Sequence, residues 1–153
     1  MAYFAALLCE NCSRPIPLPP AKHPCTSPHQ PSWPTDCAPR NFLCRACKHV
    51  YEYSVQDVRQ VPFGKTGQGQ DRKSQNIVCI EIPCGAPCCA ALIRVRTLMA
   101  FDADLDAEIP EILALSHGHQ VRCDRGDILS GPIRPSGTNF SAHFDEGWER
   151  PGR

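Results

Sequence analysis

Two Cys-x-x-Cys pairs, Cys9-Glu10-Asn11-Cys12 and Cys44-Arg45-Ala46-Cys47, constrain this 153-residue chain more than any other feature. Each pair fits a tight turn with both sulfurs on one side, and two such turns supply four thiolates, the tetrahedral set that structural zinc prefers. A chain of this composition needs such a staple. Leu, Ile, Val and Phe number 32 of 153 residues, close to the level at which apolar content no longer fills a core, and 16 Pro and 10 Gly interrupt regular structure. Eleven cysteines make an odd count, which argues against a fully paired disulfide scaffold, and their spacing favours metal.

The flanks of the two pairs agree with that chemistry. Residues 3–8 form a short apolar run leading into Cys9, and Phe42-Leu43 leads into Cys44. Beyond Cys47, Val50-Tyr51-Glu52-Tyr53 alternates as a strand does. With a cysteine knuckle at the end of each short strand, the stretch over roughly residues 4–54 resembles the zinc-ribbon family. The resemblance implies antiparallel strands stapled by one Zn2+ on Cys9, Cys12, Cys44 and Cys47. Where the chain departs from a minimal ribbon is the 31-residue interval between Cys12 and Cys44. Nine of the 16 prolines fall between Pro15 and Pro39. Proline lacks the amide donor and fixes its own backbone angle, so 13–39 reads as an extended insertion, with Trp33 as its anchor. A redox dithiol is the alternative for the same cysteines, but such thiols want a helix amino terminus to lower their pKa, and neither pair precedes a helical pattern.

A second group is less regular. Cys84, Cys88 and Cys89 lie in a Pro/Gly turn between a β-branched strand at 77–82 and a returning strand at 91–99. Cys123 follows about 35 residues later, preceded by His117 and His119. A second zinc would take Cys84, one of Cys88 or Cys89, Cys123 and a histidine, His119. Cys79 belongs inside the strand, packed rather than metal-bound. Cys25, His29 and Cys37 read as ordinary loop residues. Asp102, Asp104 and Asp106 lack the glycine and glutamate of a calcium loop and read as a solvated acidic face. They flank a weak helical pattern of Leu105, Ile109, Ile112 and Leu113, which Pro110 makes short or late-starting. Gly64-Lys65-Thr66 lacks the upstream glycine of a phosphate-binding loop.

The expected fold is therefore small, mainly β and metal-stabilised. A zinc-ribbon domain at 1–61 is followed by a flexible linker at 62–75. A second β-hairpin unit with a short helix occupies 76–130, and a tail occupies 131–153, where Phe140, Phe144 and Trp148 either dock a short helix or fray. Sixteen basic and sixteen acidic residues give zero net charge, which excludes a strongly basic nucleic-acid wrapper. Basic residues prevail before position 100 and acidic ones after it, as in a surface that pairs with its complement. No run approaches 18 apolar residues, so no membrane span is expected, and reduced thiols suit the cytoplasm. Four thiolates close a zinc ion to substrate, and no catalytic set accompanies them. The expected function is a non-enzymatic structural or protein-interaction module, docking an unidentified protein or a second copy. Nucleic-acid binding through Arg40, Arg45 and Lys48, with Tyr51 and Tyr53 to stack bases, is the alternative. Thiol redox chemistry at one Cys-x-x-Cys pair is the other.

Overall fold

A computed structural model describes residues 3–25, 30–36, 38–62, 75–84, 91–133 and 140–149. The described residues are mainly β, with one α-helix. β1 (Tyr3–Leu8), β2 (Pro15–Pro17) and β7 (Val58–Pro62) form a three-stranded antiparallel sheet in the order β2-β1-β7. β3 (Pro24–Cys25) and β4 (Gln30–Pro34) pair separately. Among the described residues the proline-rich stretch thus contributes edge or two-stranded pieces, as the missing amide donors require.

The remaining strands build one seven-stranded sheet in the order β11-β10-β6-β5-β9-β8-β12. They are β5 (Arg40–Leu43), β6 (His49–Tyr53), β8 (Gln75–Pro83), β9 (Leu92–Ala100), β10 (His117–Arg122), β11 (Ile128–Pro132) and β12 (Ser141–Phe144). Three antiparallel hairpins, β5–β6, β8–β9 and β10–β11, are joined side by side through the parallel contacts β5–β9 and β6–β10. The strands expected in separate units at 1–61 and 76–130 therefore share a sheet, with β5 and β6 in its middle rather than in a ribbon of their own. Pairing of this kind brings together residues far apart in sequence, and no local pattern announces it. Most of the expected linker, 63–74, lies outside the described residues.

Strand direction decides where the cysteines go. Parallel pairing aligns β5 with β9 and β6 with β10. The Cys44–Cys47 turn therefore caps one end of the sheet, whereas Cys84 after β8 and Cys123 after β10 lie at the other. At roughly 3.3 Å per residue, the two ends lie about 15 Å apart along β5 and β6.

The sheet buries both faces at its centre. On one side Val78, Ile80, Ile93, Val95 and Met99 pack against Ile109, Ile112 and Leu113 of α1 (Leu105–Ala114). The helix starts before Pro110 rather than at it. Its only interior loss is the one amide proline lacks, and its first turn is fixed by Asp104, whose Oδ1 accepts from Ala107 N–H at 3.3 Å. Glu108 Oε2 returns the gesture by accepting from Asp104 N–H at 3.1 Å. The opposite face packs against β1 and the insertion around Leu7, Leu18, Trp33, Phe42, Tyr53 and Trp148. Trp33 is fully buried, donates Nε1–H to Ala38 O at 3.0 Å and meets Trp148 edge-on at 6.5 Å between ring centroids. The tail therefore docks through a strand and a buried tryptophan, not a helix. Asp145 clamps it, accepting from Arg96 Nε at 2.8 Å and Trp148 Nε1 at 3.1 Å.

Ser54 to Asp57 has the spacing of a capping box but makes a single 3-10 turn (Val55–Asp57) before β7 takes over. Asp57 Oδ2 accepts from Ser54 N–H at 2.7 Å, so the cap is real while the helix is not. No described helix is long and apolar enough to cross a membrane.

Candidate metal centre

Each Cys-x-x-Cys pair occupies a hairpin tip of the same construction. Cys9 N–H donates to Arg14 O at 3.0 Å and Ser13 N–H to Cys9 O at 2.8 Å. In the second tip Cys44 N–H donates to His49 O at 3.1 Å and Lys48 N–H to Cys44 O at 2.8 Å. The residue after each second cysteine, Ser13 or Lys48, has φ 65°, the left-handed region that reverses the chain tightly. Only one other non-glycine residue among those described has positive φ, Gln120 at the irregularity in β10, so the two matched values belong to the tips.

The tips face each other across the three-stranded sheet and the end of β5–β6. Cys9 Sγ lies 3.6 Å from Cys47 Sγ, and Cys12 Sγ lies 3.6 Å from Cys44 Sγ. All four sulfurs fall within 4.8 Å of one another. Four sulfurs at about 2.3 Å from a tetrahedral ion stand about 3.8 Å apart, so the cluster has room for a metal ion at its centre. Cys9 and Cys44 are buried and Cys12 and Cys47 half-buried. The enclosure is closed on the protein side, as a structural metal requires.

The surroundings show why a cation suits the cluster. Burial pushes the Cys44 thiol up to about 12, against the pull of the Cys47 and Ala46 amides. Burial likewise raises Cys9, partly offset by the amides of Cys12 and Asn11. At Cys47 burial also acts upward, but the His49 amide, the Asn11 side chain and the neighbouring thiols outweigh it and bring the group down to about 7. Cys47 is thus drawn toward ionisation while burial holds Cys9 and Cys44 back. A divalent ion supplies the missing charge. The same amides that bond sulfur would then stabilise thiolates. Tyr53, buried on β6, positions the first tip by accepting Glu10 N–H at 3.2 Å. Its alternation with Tyr51 in the sequence gave its face but not this role.

The second group comes together differently from the expectation. Cys84 and Cys123 approach one another with Asp127, their ligand atoms within 4.8 Å. Cys88 and Cys89 lie outside the described residues. His119 sits instead beside Tyr51 in the middle of β6. It lies on Tyr51 at 4.5 Å between ring centroids, and its Nε2 sits 2.6 Å from His49 Nδ1. It precedes Cys123 by four residues, about 13 Å of extended chain, so the strand itself carries it away. Asp127 carried no ligand motif; its signal was its place four residues after Cys123, across the turn at Gly126. Cys79 is buried in β8 as expected. Cys25 is disulfide-bonded, while His29 and Cys37 lie outside the described residues.

The cationic residues considered for nucleic acid do not converge. Arg40 begins β5 and pairs with Asp36 at 2.9 Å, with Arg94, Arg96 and Arg122 around the same cleft of about 500 Å³. Arg45 and Lys48 stand at the far end of the strand, where Arg45 donates to Leu98 O at 3.2 Å and Lys48 to Arg45 O. Each of the four cleft arginines faces a carboxylate of this chain: Asp36, Glu81 with Asp124, Asp145 or Glu52.

Comparison with protein families, characterised proteins and solved structures finds no match, so the site is read from its geometry.

Proposed function

We propose that Cys9, Cys12, Cys44 and Cys47 hold one structural zinc ion in a zinc-ribbon-like centre, and that the protein is a non-catalytic interaction module built around it. The observation that carries this reading is the meeting of two identically built hairpin tips at 3.6 Å sulfur contacts. Zinc suits four thiolates in a tetrahedral, closed site, and four protein ligands leave no position for a reacting water. The ion joins β1–β2 to β5–β6, two hairpins otherwise linked by packing and by the hydrogen bond from Glu10 N–H to the Tyr53 hydroxyl. A stiffened surface docks a partner at little ordering cost, and that partner is a protein or a second copy of this chain.

The redox alternative is less well supported, because the 3.6 Å contacts run between the pairs rather than within them. Nucleic-acid binding is less well supported because Arg40 is paired and separated from Arg45 and Lys48. The four thiols favour a reducing compartment, the cytoplasm, while the disulfide at Cys25 pulls the other way. Alkylation of freshly lysed cells, followed by mass analysis of Cys25, reads that compartment directly.

The function is tested by titrating metal-loaded protein with DNA and RNA at two salt concentrations. No binding tighter than about 10⁻⁴ M is expected near physiological salt. Tight, salt-dependent binding lost in Arg45→Ala and Lys48→Ala would replace the interaction reading with the nucleic-acid one.

A further inference from the structure

The far end of the seven-stranded sheet repeats the hairpin-tip arrangement with different donors. Cys84 follows β8, and its N–H donates to Ala91 O at 3.0 Å across the mouth of the hairpin. Cys123 follows β10, its N–H donating to Asp127 O at 2.9 Å while its carbonyl accepts Gly126 N–H at 2.9 Å. Gly126 has φ 90°, which a side chain would oppose, and the turn it permits brings Asp127 back beside Cys123. β8 and β10 run toward the same end of the sheet, so the two tips arrive together. They are tied there by Asp124, whose N–H donates to Leu92 O at 2.9 Å and whose carboxylate pairs with Arg94.

The outcome is two sulfurs and a carboxylate within 4.8 Å, the cysteines buried and Asp127 exposed. Ionised together they would carry three negative charges within 4.8 Å of one another, an arrangement that a cation stabilises and that is otherwise repulsive. Calcium and magnesium take oxygen donors, whereas zinc accepts sulfur at about 2.3 Å with carboxylate oxygen at about 2.0–2.2 Å.

We propose that Cys84, Cys123 and Asp127 form a second metal site for a zinc-class divalent ion. Its mixed sulfur–oxygen donors hold the ion less tightly than the four cysteines do. With two fewer thiolates and a solvent-facing carboxylate, it releases its ion first. It staples β8–β9 to β10–β11, so the sheet carries a metal clamp at each end of its strands. The two sites share no residue, and this proposal does not depend on the reading of the first.

The test is a graded chelator titration of the full-length, zinc-loaded protein with metal counted per chain. Two equivalents are expected, leaving in two steps. Cys123→Ala abolishes the early step and leaves the late one, and Asp127→Ala weakens the early step by about tenfold or more. Asp127→Cys, which supplies a further thiolate, moves that step to higher chelator. A single equivalent that Cys123→Ala leaves intact overturns the proposal, as does an early step insensitive to every change at Asp127. Should the variants fail to fold, cadmium-113 NMR of the wild-type protein decides. Two resonances, one carrying the signature of an oxygen ligand, are expected, and one resonance alone overturns the site. Failure of the four-cysteine reading shows separately, as retention of only the Cys123-dependent ion.

Discussion

Replacing Lys48 by glycine should stabilise the protein relative to replacing it by alanine, which is the reverse of the usual order. Lys48 sits at φ 65° in the second tip, where a β-carbon crowds the following carbonyl at a cost of about 1–2 kcal/mol. Glycine escapes that cost but gives the unfolded chain more freedom, which returns about 0.4–1 kcal/mol. The difference leaves glycine ahead by about 0.5–1 kcal/mol. For a chain of this length that is roughly 1–4 °C in melting temperature. Both substitutions remove the Lys48 ammonium from Arg45 O, so that loss cancels in the comparison. Ser13, with the same φ in the first tip, gives an independent repeat. Glu10 is the control, because its φ is not positive and its only described role in the site is through its backbone, so there alanine should lead glycine. The assay is thermal unfolding of metal-saturated protein at fixed free zinc. Glycine no more stable than alanine at both Ser13 and Lys48 would refute the account of the tips.

Other perturbations follow from the same structure. Cys44→Ser should lose the tightly held metal and unfold the centre of the sheet, since structural zinc contributes about 10–16 kcal/mol against a total stability of about 5–15; metal analysis with far-ultraviolet circular dichroism reads both effects. Trp148→Ala should cost about 3–5 kcal/mol, because the ring is fully buried between Trp33 and Phe42. Denaturant unfolding measures this, and a loss below about 1 kcal/mol would show that the tail is not docked through that ring. Burial would raise the Asp145 carboxyl, but Arg96, Gly147 N–H and Trp148 Nε1 outweigh it and hold the group below the ordinary carboxylate range. Its folded pKa is depressed, so its contribution is full well above pH ~3.9 and is lost as pH falls from there through the folded value. The stability gap between wild type and Asp145→Asn should accordingly close in acid, as urea unfolding at a series of pH values would show.

Much of the site was legible from residue spacing, because a knuckle is a local device. Cys9, Cys12, Cys44 and Cys47 are set by two turns whose hydrogen bonds span five residues or fewer. Strands β1, β6, β8 and β9 announced themselves by apolar runs and alternation for the same reason. What the sequence hid was non-local. The parallel registers Asn41↔Val95 and His117↔His49 merge two expected units into one sheet, and nothing near those residues encodes the match. The same registers set His119 against Tyr51 in mid-strand and carry Cys123 to the end of the sheet. Phe144 and Trp148 have helical spacing, yet β12 forms because the edge of β8 stood open to pair with it. Asp127 was invisible because its ligand atom reaches Cys84 only when two hairpins meet.

The central claim is that four sulfurs surround one ion, and X-ray absorption at the zinc edge tests it most directly. Protein is loaded with a single equivalent, which the four-cysteine site takes first. A first shell of sulfur alone, at about 2.3 Å, is expected. A shell dominated by nitrogen or oxygen near 2.0 Å would contradict it.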